Sequence, residues 1–440
     1  MMVSLFETIR DSLSKHKLTR DIAWSMGSFF VLAISGIVIN VAVTALRDAA
    51  ALGVFNLAYA VYIVISQLAI WGIHYSVLRH AAFFKENPVE RGTMLFTAAA
   101  MALVSGVLAA ALTVLAEPLF AAIFESSQTA AAVRYSALGL LLFPLNKVLL
   151  AYLNGLQEMR VFSILQGFRY LMVMLTVTAI AASSLPIELA TLAFFVAEVG
   201  TALGAVVWFI KCRPTESMTF SAVWVRKHFA FGTKGLAGGM FAEVNSRIDV
   251  LLIGFFLNDR ATGIYSFAAM LVDGLYQVLA MIRINFNPVL VGAVRDGNWE
   301  QARRLRIQSR RFVQPVVLVL SMLLVIAYYV LAAWMVPGKG LLEGLPSLLI
   351  LLAGLNLISV LVPFDNLMVV SGHPGYQAAQ QMTAVGANII MAAVLLPLIG
   401  IEGAALGTAL SYLCGILMLV IFSSRLLGWR LLSNTVPVGR

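Results

Sequence analysis

Apolar residues in this chain run on, time after time, for about 20 positions, the length at which a helix crosses the hydrocarbon of a bilayer. Runs of that kind cover residues 22–45, 53–79, 92–116, 132–154, 161–183, 187–210, 232–257, 262–292, 312–336, 345–371, 376–398 and 402–424. The connections between them are short. Only 12% of the 440 residues are charged and 61% are hydrophobic, against about 25% charged in soluble proteins. The expectation is an all-α integral membrane protein with twelve transmembrane helices and no room for a sizeable soluble domain.

The formal charge of +9 raises nucleic acid as a partner, but the placement of the basic residues excludes it. About 22 Lys and Arg fall before the first span, in alternate connections and in the tail. The other connections hold only Arg47, Arg134, Arg260 and Lys339. That alternation is the positive-inside pattern, and it predicts both termini in the cytoplasm. Residues 1–21 read as a cytoplasmic interfacial segment, with Leu5, Phe6, Ile9 and Leu13 on one helical face. The first span is too long for the apolar region of a cleavable signal. Cys212 and Cys414 supply neither a disulfide framework nor metal-ligand spacing. No catalytic group, metal site or cofactor motif is evident, and no glycine-lysine nucleotide loop exists.

The most polar internal break, KCRPTESMTFSAVWVRKH (211–228), divides six spans from six and prompts a search for a repeat. At an offset of 210, Gly53-Val-Phe-Asn-Leu-Ala58 matches Gly263-Ile-Tyr-Ser-Phe-Ala268. Pro144-Leu-Asn146-Lys147 matches Pro363-Phe-Asp365-Asn366, and the two prolines are expected to break spans four and ten. Each half holds an even number of spans, so the copies share one orientation and are related by a pseudo-twofold axis along the membrane normal. The predicted organisation is an N-terminal six-helix bundle (22–210), a cytoplasmic linker (211–230), a C-terminal six-helix bundle (231–424) and a cytoplasmic tail (425–440).

Charges inside spans are the candidates for function, since each costs at least about 2.5–3.5 kcal/mol at bilayer depth. The cations are Lys147, Arg169, Arg247 and Arg283; the acids are Glu198, Glu243, Asp249, Asp273 and Asp365. The seventh span concentrates them, with Glu243, Asn245, Arg247 and Asp249 in the middle of one apolar run. In an unbroken helix Glu243 and Arg247 have ion-pair spacing, while Asp249 lies roughly 200° from Arg247. Arg247 therefore carries two readings, a structural pair with Glu243 or a free cation. Lys147, Arg169 and Glu198 read equally as a packing network or as cavity lining. Asp273 and Asp365 read as sites for a coupling ion or as helix-to-helix hydrogen bonds.

The run R-I-D-V-L-L-I-G-F-F-L (247–257) followed by G-I-Y-S-F-A (263–268) resembles the second-half signature of the polysaccharide-exporting flippases. The first-half copy G-V-F-N-L-A (53–58), the turn L-N-G-L-Q (153–157) and the basic connection G-N-W-E-Q-A-R-R-L (297–305) are similar to the same family. This is the polysaccharide transporter branch of the multidrug/oligosaccharidyl-lipid/polysaccharide exporter superfamily. The resemblance implies two bundles in a V around a central cavity that opens alternately to each side. It implies translocation of undecaprenyl-pyrophosphate-linked oligosaccharide across the bacterial inner membrane for O-antigen, capsule or exopolysaccharide assembly. Membrane lipids, a polysaccharide polymerase and a chain-length regulator are the implied partners. Spans one, two, seven and eight flank the cavity in that architecture. This makes Arg247 and Arg283 the foremost phosphate contacts, with Asn285 and Asn40 as neutral lining and Lys147 and Arg169 as further cations.

Two alternatives stand beside this reading. A cation-coupled multidrug exporter of the same superfamily is the first, disfavoured by the intramembrane arginines. A membrane polymerase or glycosyltransferase is the second. Such an enzyme needs catalytic groups on a large external loop, and residues 116–135 offer only a mostly apolar connection.

Overall fold

The computed structural model describes residues 2–212 and 219–433, and the side chains within them except at 2–19, 22, 234–242 and 244. The amphipathic face expected at 3–17, residues 213–218 of the central linker and the end of the tail lie outside the described residues and side chains. The first half comprises α1 (Met2–Leu46), α2 (Ala49–Ile70), α3 (Ile73–Phe83), α4 (Pro88–Leu115), α5 (Glu117–Phe124), α6 (Ser127–Leu140), α7 (Phe143–Gly155), α8 (Met159–Ala182) and α9 (Leu192–Cys212). The second comprises α10 (Ala222–Asn245), α11 (Ile248–Phe256), α12 (Asp259–Arg295), α13 (Trp299–Gln308), α14 (Gln314–Val330), α15 (Leu345–Ile358), α16 (Leu367–Val370), α17 (Pro374–Ile399) and α18 (Ile401–Leu427).

Among the described residues ten helices are long and apolar enough to cross a membrane, or eleven when α6 and α7, bent by 45°, form one span. The seventh expected run is not one helix but two, α10 and α11, interrupted at Ser246 and Arg247. Ser246 Oγ closes the end of α10 by donating to the Glu243 carbonyl at 2.8 Å. Asp249 accepts the Val250 amide at 2.8 Å in the first turn of α11. Short polar side chains compete with the helical ladder in this way, and a carboxylate favours the positive end of the new helix. The N-terminal segment also differs from expectation in its backbone: α1 runs from residue 2 into the first span as one helix.

Cap residues start the helices where the sequence turns polar. Asn87 accepts from the Glu90 amide with Pro88 in the first turn of α4, and Asn298 accepts from the Gln301 amide at the start of α13. Asp48 accepts from the Ala51 amide at 2.8 Å, and Asn258 from the Ala261 amide at 2.9 Å. Each of those two positions is 210 residues from its counterpart, so both copies of the repeat begin with the same cap. Pro144 stands in the first turn of α7, just after the α6–α7 bend. Pro363 lies in a 3₁₀ turn (Val362–Phe364) between α15 and α16. Both breaks follow from proline's missing amide donor and its clash with the preceding turn.

Two compact units are present. One comprises Met1–Ala42, Val61–Phe120 and Ala130–Gly239; the other comprises Val43–Ala60, Ala121–Thr129 and Met240–Arg440. In the first, Ile70, Val77, Met94, Tyr152 and Trp224 centre a buried apolar cluster. Trp224 Nε1 donates to Glu90 at 2.8 Å, and the buried His228 ring bridges Ser76 Oγ (2.9 Å) and the Met94 carbonyl (3.1 Å). The break between α2 and α3 has a tertiary cause. Trp71 and Gly72 both have positive φ, at 46° and 68°, and a Cβ on Gly72 would sit 2.5 Å from the Gly232 carbonyl oxygen of α10. A tryptophan rarely adopts that conformation. Here its indole donates to Thr233 at 3.0 Å and stacks on Phe229 at 5.8 Å.

In the second unit the repeat closes on itself. A Cβ on Gly53 would lie 1.7 Å from the Asp259 carbonyl oxygen, and one on Gly263 would lie 1.8 Å from the Ala49 carbonyl oxygen. Asp259 is to Gly53 what Ala49 is to Gly263, each pair related by the offset of 210. Reciprocal contacts of this kind mark a local twofold. Glycine is required because the two backbones touch. The same end is tied by Ser126 and Thr129, which donate to the two Asp259 oxygens at 2.6 and 2.7 Å, and by Lys339 donating to the Arg47 carbonyl.

Substituting alanine at Gly53 or Gly263 is expected to force the α2–α12 crossing apart and cost about 1–3 kcal/mol or more. Gly292, whose Cβ would meet nothing within 4 Å, is expected to tolerate alanine with a gain of about 0.5–1 kcal/mol. Thermal unfolding in detergent checks both; equal midpoints for the three variants would contradict the crossing.

Candidate functional site

Charged residues of the second unit gather around α12. Tyr265, Tyr276 and Arg283 fall at i, i+11 and i+18, which places them on one face of that helix. At one end Tyr265 donates to Asp249 Oδ2 of α11 at 2.6 Å. Its hydroxyl lies 3.5 Å from Thr408 of α18, which in turn lies 3.5 Å from Asn388 of α17. Four helices are thus joined by one buried polar chain. At the other end Arg283 Nη1 meets Asp365 Oδ2 at 2.9 Å, and Gln380 Nε2 donates to the second oxygen at 2.6 Å. Asp365 can be held there because the α15–α16 break turns it inward beside α12. Tyr276 stacks on Tyr412 between these two ends.

Arg247 occupies the break between α10 and α11, with φ −128° and ψ −6°. The expected register with Glu243 does not exist there, because α10 has already ended; among the described residues the two make no ion pair within 4 Å. The guanidinium lies instead over the Tyr59 ring of α2, 5.0 Å from its centroid. Asp273, Asp249 and Glu243 are its charged neighbours. The 200° separation that an unbroken helix would impose between Arg247 and Asp249 is removed by the same break. Asp273, half-buried on α12, has no hydrogen bond or ion pair among the described residues.

The first unit holds a separate cluster. Glu198 of α9 is buried and meets Arg169 Nε of α8 at 2.9 Å. Asn146 of α7 donates to the Glu198 carboxylate at 2.6 Å and to its carbonyl at 2.8 Å. Arg169 and Lys147 both approach the Phe143 ring, at 5.0 and 5.9 Å. Tyr62 stacks on Phe194 at 4.5 Å beside that ring. Arg169 and Glu198 are therefore tied to each other here, as are Arg283 and Asp365 in the second unit. The two neutral candidates turn back on their own helices. Asn40, buried, donates to the Gly36 carbonyl at 2.8 Å, and Asn285, exposed, donates to that of Met281 at 3.0 Å.

The tyrosines and amides of these networks escaped the reading of charges alone. A signal existed for two of them. Tyr265 lies inside the repeated G-I-Y-S-F-A run, and a tyrosine hydroxyl in an apolar span requires a partner. Asn146 is the repeat counterpart of Asp365, and both sit just after a proline break with an ionic partner in reach.

A family model described as polysaccharide biosynthesis protein matches residues 43–339. No curated protein sequence matches significantly. Among solved structures, an inward-facing multidrug resistance MATE family transporter of the MOP superfamily superposes with a TM-score of 0.78. It is 12% identical, over 92% of this chain and 95% of that one. The lipid II flippase MurJ in an inward closed conformation gives 0.74 at 14% identity, over 95% of this chain and 88% of that one. A MOP superfamily transporter from Pyrococcus furiosus gives 0.57 at 15%, over 93% and 95%. At these identities the likeness is one of fold.

Removing one partner of this half-buried ion pair strands the other in an apolar span. Arg283→Gln and Asp365→Asn are each expected to cost about 3–5 kcal/mol, and the double variant to recover most of that loss. A double-mutant cycle on thermal stability in detergent measures the coupling, and strictly additive losses would contradict it. The family model spans more than half of the chain, which therefore belongs to the polysaccharide biosynthesis protein family, in a fold similar to that of the MATE and MurJ structures.

Proposed function

We propose that this protein moves undecaprenyl-pyrophosphate-linked oligosaccharide units from the cytoplasmic to the periplasmic leaflet of the bacterial inner membrane, by alternating access. The observation that carries the reading is Arg247. It is an intramembrane guanidinium at a helix break, held over an aromatic ring rather than clamped by a carboxylate, so its planar fork of donors remains available to a phosphate. A pyrophosphate and a glycan cannot be solvated by lipid and need such groups to cross. Membership of a polysaccharide biosynthesis family supports a lipid-linked sugar over a drug.

In this proposal α2–α3, α6–α7, α10–α11 and α15–α16 are each one interrupted crossing, which makes twelve spans in two bundles, 22–210 and 231–424. The bundles form a V with both termini cytoplasmic. Arg247 is the principal phosphate contact. Arg283, Arg169 and Lys147 set the positive potential of the cavity while their partners Asp365 and Glu198 hold them in place. Asp249 and Asp273 are the groups suited to a coupling ion. The polymerase and chain-length regulator that consume the exported unit act downstream.

In a strain lacking the gene, the cytoplasmic-facing lipid-linked unit is expected to accumulate, and the wild-type chain to clear it. Arg247→Ala at normal expression should lower export about tenfold or more, the loss of a charge-assisted hydrogen bond, with Arg247→Lys retaining part of it. Full export by both Arg247→Ala and Arg283→Ala would refute this assignment of the phosphate contacts.

A further inference from the structure

The arginine-rich segment that follows α12 belongs to neither cluster above, and its charges are unevenly matched. Arg303 and Arg304 lie 3.3 and 3.9 Å from the Glu300 carboxylate. Arg306, Arg310 and Arg311 meet no acid among the described residues. They line a cavity of about 490 Å³ together with Ile307, Leu432 and Ser433. Arg306 is only 8% exposed; its Nη2 donates to the Leu432 carbonyl at 2.8 Å, and its Nε has no partner among the described residues. The charge of Arg310 acts on it from nearby. Arg310 and Arg311 are presented by a π-helical turn (Ser309–Val313) between α13 and α14, pinned where Ser309 Oγ donates to the Val360 carbonyl at 2.8 Å. Such turns add a residue to the helix and re-aim the side chains on it. A buried guanidinium with an idle donor, pressed by a second cation, lacks a counter-charge among the described residues.

The surroundings decide what kind of anion fits. Ile307, Phe312 (60% exposed) and Leu432 (66% exposed) surround or adjoin the arginines with bare apolar surface. From Phe312 the exposed side chains Val316, Val319 and Leu323 continue along α14 at i+4, i+7 and i+11, one stripe of an apolar span. A soluble phosphate has no use for that stripe, whereas acyl chains do. We propose that Arg306, Arg310 and Arg311 seat the phosphate of an anionic glycerophospholipid from the surrounding leaflet, with its acyl chains along the Phe312–Leu323 stripe. This site is separate from the substrate contacts assigned to Arg247, and it stands whether or not that assignment does.

Native mass spectrometry of the full-length protein in detergent, titrated with phosphatidylglycerol or with phosphatidylcholine of identical chains, tests it. The wild type is expected to retain one phosphatidylglycerol in preference to phosphatidylcholine. Arg310→Gln with Arg311→Gln, both exposed, should weaken that preference roughly thirtyfold, the effect of two basic residues at an anionic surface. Arg303→Gln with Arg304→Gln, already matched by Glu300, should leave it largely in place. Equal retention of the two lipids by the wild type, or an unchanged preference in the Arg310/Arg311 variant, would overturn the proposal. So would displacement of bound phosphatidylglycerol by millimolar inorganic phosphate, which would make this a soluble-anion site. Displacement by an equimolar amount of polyprenyl pyrophosphate would also overturn it, by making this an entry point for substrate.

Discussion

A charge placed in an apolar span must be answered locally, because lipid offers neither counter-ion nor hydrogen bond. The structure gives three different answers. Glu198 and Asp365 each take an arginine and an amide donor. Asp249 takes a tyrosine hydroxyl and a backbone amide. Arg247 takes the face of Tyr59. The first two answers consume the partners and stiffen the bundles. The third leaves donors unspent, and that difference separates scaffold from candidate contact more clearly than the presence of charge does.

Interruptions of the helices serve the same end. Prolines at 144 and 363 release Asn146 and Asp365 from straight helices and bring them to their ionic partners. The Ser246–Arg247 break removes an intrahelical pair and delivers the cation to an aromatic ring on another helix. Broken backbone at membrane depth is tolerated where protein surrounds it or where it lines a water-filled cavity, so such breaks are expected away from lipid. The repeat adds a geometric constraint, since Gly53 and Gly263 touch reciprocally and leave no room for a side chain at either position.

For the proposed transport role, the consequence is a division of labour between rigid and available groups. The Arg169–Glu198 and Arg283–Asp365 pairs keep cations fixed without exposing a lone charge, while Arg247 and the half-buried Asp273 make no ion pair within 4 Å among the described residues. The arginines at 306, 310 and 311 obey the same rule at the end of α13. There the proposed counter-charge is a lipid headgroup, since no acid meets them among the described residues.

Much was legible in the amino-acid order because it depends on local chemistry. Run length marked apolar segments, ten or eleven of which are helices long enough to span, loop charges set the expected orientation, prolines marked two of the breaks, and the offset of 210 paired Gly53 with Gly263. Partner choice was not legible. An ion pair between residues 82 apart, such as Arg283 and Asp365, or a guanidinium resting on a ring 188 positions earlier, is decided by how helices cross. The seventh run shows the limit most plainly. Its composition admits a continuous helix with Glu243 bound to Arg247; local hydrogen bonds of Ser246 and Asp249 accompany the break, and the ring that Arg247 then meets is supplied by another helix. Secondary structure is selected within a few residues of chain; which charge meets which is selected by the space between helices, and that space exists only once they have packed.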